Sequence, residues 1–278
     1  MGACLFSRDL GRFESLSRKP MRVVEYSGAD RIKTKREQEG VRGYAVGFEG
    51  IIKFINNLVP RNEVIQEALR RSVPMYPEIA IRELVANALI HQDFFVKGAG
   101  PMVEIFSNRI EVTNPGRPLV DTRRFLDLPP QSRNEKLASL MRRVGVCEER
   151  GSGIDKVVHL TELYQLPAPI FEVVGENTRA VLFAHKSFTD MDKDDRIRAC
   201  YLHACLKSVK REYLTNSSLR TRFGLPDTSS AVVSRLIRDA VDAGLISPHD
   251  PNAGNRHMKY VPFWAAKSAA FQGIPRVQ

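Results

Sequence analysis

The chain has 278 residues, which is enough for about two domains of ordinary size. Apolar residues make up 43% and charged residues 27%, a composition that excludes wholesale disorder. Lysine and arginine outnumber aspartate and glutamate by 42 to 32, and the resulting net charge of +10 favours polyanions, with nucleic acid the commonest candidate. A basic surface that is merely solvated explains the same excess until a specific basic face is found.

Cysteine usage and hydropathy narrow the class of protein further. The four cysteines (Cys4, Cys147, Cys200 and Cys205) form no Cys-x-x-Cys pair, so we expect no structural zinc site and a reducing, cytoplasmic environment. No apolar run approaches about 18 residues, so we expect no membrane-spanning segment and no membrane partner.

Residues 1–43 are basic and irregular, and we predict them to be a segment separate from the domain that follows. Within them, Met21–Tyr26 is predicted to be a short strand and Asp30–Gly43 a charged, flexible connector. The apolar spacing becomes helical in Phe48–Leu58, and Val64–Arg71 is predicted to extend this helical region.

Residues 44–188 combine one strongly patterned helix with hairpins and further helices. The helix opens at Pro77 and carries an apolar stripe on one face. The elements predicted after it are the strands Met102–Ser107 and Arg109–Asn114, the helices Asn134–Val144 and Ile154–Tyr164, and the strands Ile170–Gly175 and Ala180–His185. This mixture of helices and antiparallel hairpins predicts an α+β sandwich over 44–188.

Residues 189–195 are acidic and polar, and we predict a linker there, followed by a second domain over 196–265 and a tail over 266–278. The elements expected in the second domain are the helices Ile197–Leu206, Ser217–Phe223 and Ser229–Ala243 and the strands Leu245–Ser247 and Lys259–Phe263. Three helices followed by a two-stranded ribbon predict a winged helix-turn-helix domain.

The helix after Pro77 carries the first set of chemically useful side chains. Glu83 and Asn87 lie four residues apart on one face, and His91 continues that face one turn further. A carboxylate can polarise an attacking water, and a carboxamide oxygen can bind Mg²⁺ beside phosphates. Taken alone the pair is weak evidence, because most such pairs decorate a solvated helix.

The segment Gly151-Ser152-Gly153 stands directly before the predicted helix Ile154–Tyr164. Glycines at a helix start let the backbone approach a ligand, and the exposed N–H groups and the helix dipole favour phosphate. An ordinary glycine turn before a helix explains an isolated Gly-Ser-Gly equally well. Arg133 and Lys136 could approach the phosphates from the preceding segment, and simple surface charge is the alternative for both.

Four sequence blocks occur in an order that resembles one family. They are Ile81–Phe94, Arg109–Pro118, Ser132–Ala138 and Glu149–Ile154. In order and spacing they resemble the ATPase domain once labelled RecG-related helicase C-terminal and now grouped with the GHKL ATPases, whose fold is shared by gyrase, Hsp90, histidine kinases and MutL. The resemblance covers roughly residues 45–185. It implies a GHKL-type (Bergerat) α/β sandwich that binds ATP with Mg²⁺.

The resemblance also implies roles for individual residues. Glu83 matches the glutamate that acts as general base where hydrolysis occurs, and Asn87 matches the asparagine that holds Mg²⁺. The remaining residues that it assigns to the nucleotide, together with Arg133 from the reasoning above, are Asn114, Gly116, Gly151, Ser152 and Gly153.

The adenine side of the pocket departs from the wider superfamily. Better-known members have Asp-x-Gly-x-Gly, whose aspartate accepts a hydrogen bond from the adenine amino group, whereas Asn114-Pro115-Gly116 occupies that region here. An asparagine can accept through its oxygen but lacks the charge. Binding of a nucleotide is therefore a firmer expectation than adenine selectivity, and any Mg²⁺-dependent hydrolysis is expected to be slow.

The predicted DNA-contacting residues lie on the third helix or at the ribbon tip of the second domain and carry small hydroxyls or basic groups: Ser230, Ser234, Arg235, Arg238, Arg256 and Lys259. Hydroxyls and arginines on an exposed helix suit the major groove, and a basic ribbon adds phosphate contacts. The alternative is a winged helix used for dimerisation, with solvated arginines. The C-terminal residues 256–265 also resemble the end of this family's winged-helix members.

In many relatives a Schlafen AlbA-like domain precedes the ATPase-like region, and residues 1–43 resemble only a remnant of its tail. Three hypotheses follow for the whole chain. The first is an ATP-binding, DNA-binding regulator of transcription, with duplex DNA and a second copy of the chain as partners, whose nucleotide state controls domain or dimer arrangement. The second is an ATPase acting on nucleic acid or in phage defence, and the third is an oligomeric scaffold with a degenerate pocket. A helicase motor is not expected, because the sequence has no G-x-x-x-x-G-K-[ST] phosphate loop.

Overall fold

The computed structural model describes residues 2–66, 69–147, 152–254 and 258–266. The chain divides into two units, Met1–His185 and Lys186–Gln278. The structure therefore corrects the predicted linker over 189–195: the division precedes it, and the first helix of the second unit already begins at Lys193. Acidic residues at a helix start are favoured by the helix dipole, so a local run of acids does not require an irregular linker.

The described residues of the first unit form eight strands. They are β1 (Arg22–Tyr26), β2 (Thr34–Glu39), β3 (Arg61–Gln66), β4 (Leu69–Pro74), β5 (Met102–Ile105), β6 (Arg109–Pro115), β7 (Ile170–Val174) and β8 (Asn177–Phe183). Six of them form one sheet in the order β2-β1-β5-β6-β8-β7, in which β1 and β5 are parallel and the other neighbours are antiparallel. Strands β3 and β4 form a separate antiparallel pair.

In the part of the unit that the structure describes, five α-helices accompany this sheet: α1 (Gly2–Phe6), α2 (Tyr44–Leu58), α3 (Glu78–His91), α4 (Glu135–Arg143) and α5 (Gly153–Leu163). Helix α3 lies at the centre, packed against α2, α5 and β6. Its predicted apolar stripe is buried, and Ala80 and Ala86 are buried as well. The core of the unit therefore surrounds α3 on several sides, which holds the helix rigidly.

Residues 1–43 contribute the strands β1 and β2 to the sheet and belong to the first unit, which corrects the boundary predicted after residue 43. The predicted strand Met21–Tyr26 is confirmed as β1, but the predicted flexible connector contains β2, the edge strand of the sheet. All six residues of β2 are exposed, so the strand has no buried face and leaves no apolar alternation in the sequence. The helical extension predicted over Val64–Arg71 is also wrong, because β3 and β4 occupy that region; a short apolar run such as Val64-Ile65 does not distinguish the two periods.

Two buried carboxylates on the sheet are neutralised by a residue of the predicted connector. Glu104 and Glu111 are directly opposite each other on β5 and β6 and are 1% and 5% exposed. The Arg31 guanidinium donates to Glu104 Oε1 at 2.6 Å and to Glu111 Oε2 at 3.0 Å. Arg109 donates to the remaining oxygen of Glu111 at 2.6 Å. Paired arginines are thus what allow two like charges to be buried side by side.

We expect the substitution Arg31→Ala to lower the free energy of unfolding by about 1–3 kcal/mol, because it leaves Glu104 buried without its guanidinium. Arg31 is half exposed, so solvent screening keeps the loss below that of a fully buried pair. Urea denaturation measures the effect. The matched control is Arg22→Ala, whose pair with Glu37 is half exposed on both sides and is worth less than about 1 kcal/mol. Equal losses for the two variants would contradict the prediction.

The second unit contains α6 (Lys193–Val209), α7 (Asn216–Arg222), α8 (Ser230–Asp242), β9 (Ile246–Pro248) and β10 (Tyr260–Pro262). Strands β9 and β10 are antiparallel, and Leu214 forms an additional bridge to Tyr260. Thr215 and Ser218 form a reciprocal capping box at the start of α7, as the polar run there predicts. Helix α8 buries Val233, together with Leu236, Ile237 and Ala240, against the rest of the unit.

Among the described residues, no helix combines the length and the apolar character needed to cross a lipid bilayer.

Candidate functional site

Helix α3 presents its polar residues to a cavity of about 270 Å³ in the first unit. Three groups of residues form its walls: one face of α3, residues of β6, β7 and β8, and the segment Arg117–Arg133 with residues of α4 and the start of α5. The sequence-predicted residues that the structure brings together in this lining are Glu83, Asn87, Asn114, Arg133 and Gly153. A lining that combines polar groups with apolar side chains is typical of a small-molecule site.

Gly153 places the beginning of α5 directly against α3. A Cβ atom at this position would lie 2.5 Å from Glu83 Oε2 and 3.7 Å from Asn87 Nδ2. Glycine is therefore required for the main chain to come this close, and the first N–H groups of α5 lie beside both side chains. Glu83 is only 8% exposed, so its carboxylate is held between two helices rather than solvated on the surface.

Of the other two residues of the predicted Gly-Ser-Gly segment, the structure describes only Ser152. Ser152 is the N-cap residue of α5 and makes no side-chain capping bond, and it does not line the cavity. Gly151 lies outside the described residues, so the prediction made for it stays a prediction.

Gly116 closes a turn at the edge of the cavity instead of lining it. Its φ is +102°, and a Cβ there would lie 2.9 Å from Asp93 Cβ and against the Arg133 guanidinium. The Asp93 N–H donates to Pro115 O at 2.7 Å, and Arg133 Nε lies 3.8 Å from Asp93 Oδ2. The end of α3, the end of β6 and the segment before α4 thus meet at this glycine.

Asn114 is buried, and its hydrogen bonds leave its oxygen as an acceptor. The Asn114 Nδ2 group donates to Pro115 O at 3.1 Å. Its register partner on β8, Thr178, lines the same cavity and donates through Oγ1 to Gly116 O at 2.7 Å. No local pattern indicates Thr178, because it is 62 residues from its partner Gly116 in the chain.

The C-terminal end of α3 is fixed by side chains from three other segments. Asn134 Nδ2 donates to Ile90 O at 2.8 Å and to Gln92 O at 2.7 Å. Gln92 Nε2 donates to Tyr44 Oη at 2.7 Å. Lys19 Nζ donates to three carbonyls of the loop after α3, the shortest bond being 2.6 Å. These bonds satisfy carbonyls that a helix end leaves open, and so they hold Glu83 and Asn87 in position.

His91, the third residue on the predicted polar face, also lines the cavity. Burial lowers the pKa of the His91 imidazole, and the nearby Arg133 charge lowers it further. The imidazole is therefore neutral near pH 7 and has one donor and one acceptor nitrogen for a ligand.

Several cavity residues were not singled out by sequence reasoning. They are the aromatic residues Phe125 and Phe171 and the polar residues Arg117, Arg142, Cys147 and Thr178. Arg117, Phe125 and Cys147 lie in irregular segments, whereas Arg142 lies on α4 and Phe171 and Thr178 lie on β7 and β8, where no local pattern marks them as cavity residues. Burial raises the pKa of the Cys147 thiol, which therefore stays protonated.

In the second unit, the predicted face of α8 is solvent-exposed. Ser230, Ser234, Arg235 and Arg238 are all exposed, and so is Lys259 at the start of the β10 side of the ribbon. Asn216 Nδ2 donates to Ser230 O and to Ser234 Oγ, both at 2.9 Å, so α7 braces the start of α8. Arg256 lies outside the described residues.

Within the part of the chain that the structure describes, no three histidine, cysteine, aspartate or glutamate side chains form a group that could hold a metal ion.

Comparison with families and known proteins gives three results. Residues 98–182, which span β5 to β8, match the family HATPase_c_4, described as "Putative ATP-dependent DNA helicase recG C-terminal". Comparison with curated proteins gave no match. Among solved structures, the chain is similar to the DIP2311 protein from Corynebacterium diphtheriae, with a TM-score of 0.58 and 19% identity over 89% of this chain. The chain spans 52% of that protein's length, and the likeness shows a shared fold.

Proposed function

We propose that the first unit binds Mg-ATP in the α3 cavity and that the second unit is a winged helix that binds duplex DNA, so that the chain is a nucleotide-responsive regulator. The observation that carries the nucleotide site is the close approach of Gly153 to Glu83 and Asn87, at 2.5 and 3.7 Å from the Cβ position. It brings a helix N-terminus, a carboxylate and a carboxamide together at a cavity that apolar side chains also line. The family match over residues 98–182 supports ATP binding by this unit.

The residues present fit this ligand. The N–H groups at the start of α5 favour phosphate oxygens, and Arg133 adds a positive charge to the same cavity. The Asn87 side chain offers an oxygen of the kind that Mg²⁺ prefers, and Glu83 adds a negative charge beside it. A bound Mg²⁺ ion would neutralise part of the negative charge of the phosphates. Asn87 would hold the ion, and Glu83 would hold a water molecule next to it.

Asn114 favours adenine over guanine. Because its Nδ2 group already donates to Pro115 O, the side chain offers Oδ1 as an acceptor for an amino group. Adenine carries an amino group at position 6, whereas guanine carries a carbonyl oxygen there that would face another acceptor. We therefore propose that the Asn114 oxygen gives the site a preference for adenine, although asparagine lacks the negative charge of the aspartate in better-known members.

Thermal denaturation in the presence of nucleotides tests the nucleotide site. Mg-ATP at about 100 times its Kd stabilises a folded protein by about 2.7 kcal/mol, which raises Tm by several degrees. We expect this rise with Mg-ATP, a smaller rise with Mg-GTP, and a reduced rise with ATP and EDTA. If neither nucleotide changes Tm at millimolar concentration, the proposed nucleotide site is wrong, and the scaffold hypothesis gains.

The proposal for the second unit rests on its element order and its charge. Three helices, a bridge at Leu214 and the β9–β10 ribbon follow the order of a winged helix. The face of α8 that points away from the core combines hydroxyls with Arg235 and Arg238, and Lys259 adds a positive charge on the ribbon. This arrangement suits a helix in the major groove with phosphate contacts beside it.

We expect Arg238→Ala to weaken binding to duplex DNA by about 5- to 100-fold and to reduce the slope of log K against log salt by about 1. Arg238 is exposed on α8 and is free to meet a phosphate or a base edge. Fluorescence anisotropy over a salt series measures both quantities. Lys210→Ala removes the same charge from an exposed position outside α8 and serves as the control. Equal losses of DNA affinity in the two variants would indicate non-specific electrostatic attraction and contradict the proposal that α8 binds in the DNA groove.

A further candidate function, ATP hydrolysis, is favoured by the position of Glu83. A carboxylate fixed at the start of α5 is where a general base for an attacking water would be needed.

A further inference from the structure

Two partly exposed phenylalanine residues, Phe125 and Phe171, line the cavity. Phe125 belongs to the segment between β6 and α4, and Phe171 lies on β7. Their ring centroids are 5.6 Å apart and their planes are inclined by 59°. Rings in such a tilted pair meet edge to face, so their mutual contact does not cover both faces of each ring.

Three apolar residues of the sheet form one surface of the cavity, the apolar floor. Phe171 is paired with Ala180 on β8, and Ala180 is paired with Val112 on β6, so the three side chains form one row across three strands. All three residues line the cavity. Asn114 stands two residues further along β6, on the same side of the sheet as Val112. A polar hydrogen-bonding edge is thus followed directly by an apolar surface.

The segment that carries Phe125 is held in place by its own contacts. Asp121 accepts from the Arg123 N–H at 2.9 Å, and Arg124 donates to Asp127 at 2.5 Å. The contact between Phe125 and Phe171 joins this segment to β7, and Arg133 Nη2 donates to Arg117 O at 3.2 Å to join its two ends. Phe125 is therefore presented to the cavity by an ordered segment.

We propose that Phe125 and Phe171 contact the nucleobase and determine selectivity for a planar base over ligands without one. This inference rests on the proposed Mg-ATP site and extends it. A base whose amino edge meets Asn114 lies over the apolar floor, and its π-face has two aromatic rings within the same cavity. Contact between a base and an aromatic side chain depends on the ring face, so replacement by an aliphatic residue of similar size loses it.

The experiment compares Mg-ATP with inorganic tripolyphosphate, which has the phosphates but no base, by calorimetric titration. We expect Phe125→Leu and Phe171→Leu each to weaken Mg-ATP binding by about 5- to 100-fold and to leave tripolyphosphate binding unchanged. Phe125→Tyr keeps the ring and is expected to stay within about twofold of the unsubstituted chain. Phe95→Leu is the control, because Phe95 is 92% exposed and lies outside the cavity.

Three results would overturn the inference. The first is unchanged Mg-ATP affinity in both leucine variants. The second is an equal loss of ATP and tripolyphosphate binding, which would show a general distortion of the cavity. The third is a Phe125→Tyr variant as weak as Phe125→Leu. Failure of the proposed function looks different: the unsubstituted chain then binds neither Mg-ATP nor tripolyphosphate, and the inference falls with it.

Discussion

Replacing Glu83 by glutamine is expected to lower the rate of Mg²⁺-dependent phosphate release by about 10²- to 10⁴-fold while leaving Mg-ATP binding within a few-fold. Glutamine has the size of glutamate, so it fits between α3 and α5 beside Gly153 without a new clash. It cannot accept a proton from an attacking water. The loss therefore falls on the chemical step and not on binding.

Single-turnover phosphate release and a separate calorimetric titration measure the two quantities. The matched control is Glu78→Gln, which makes the same change on the same helix at an exposed position outside the cavity. Unchanged phosphate release in the Glu83 variant would remove Glu83 as the general base. Loss of ATP binding in the same variant would instead assign Glu83 to the binding of the ligand or its metal.

The parts of the fold that could be predicted are those whose apolar residues and boundary signals are local in the sequence. Pro77 and a helical apolar spacing indicate α3, and the Ser107-Asn108 turn between two short apolar runs indicates β5 and β6, although the structure buries these elements on more than one side. Helix α5 was located by the glycine before it as well as by its apolar residues. The family resemblance, and not the apolar spacing, assigns Glu83, Asn87 and Gly153 to a nucleotide site, and the structure brings the three residues together in the cavity.

The parts that could not be predicted depend on pairing over a distance. Strand β2 has no buried residue, so its place in the sheet is decided by hydrogen bonds with β1 and by ion pairs such as that between Lys35 and Glu25. Phe125 reaches the cavity because the irregular segment around it folds over the sheet and contacts Phe171. Thr178 is part of the site because β8 pairs with β6. No local sequence pattern predicts any of these contacts.

Gly116 shows how a residue outside the cavity lining can still decide the site, and its replacement has the second large expected effect. We expect Gly116→Ala to lower the free energy of unfolding by about 2–4 kcal/mol and to weaken Mg-ATP binding at least tenfold. A φ of +102° is strained for any side chain. The added Cβ would also lie 2.9 Å from Asp93 Cβ and 3.2 Å from its main-chain nitrogen.

The backbone at Gly116 has little room to relax, because its N–H donates to Glu176 O at 2.8 Å and its carbonyl accepts from Thr178 at 2.7 Å. Strain must therefore move Asp93 and Arg133, and Arg133 lines the cavity.

The matched control is Gly175→Ala in the adjoining turn, which has a φ of +59° but no heavy atom within 4 Å of the new Cβ. It tests the cost of a positive φ alone, about 1 kcal/mol, without an effect on ATP binding. Urea denaturation and calorimetric titration of both variants separate the cost of the positive φ from the cost of the close contacts. If Gly116→Ala loses no more stability than Gly175→Ala and binds Mg-ATP normally, the contacts of α3, β6 and the segment before α4 at this glycine do not shape the site.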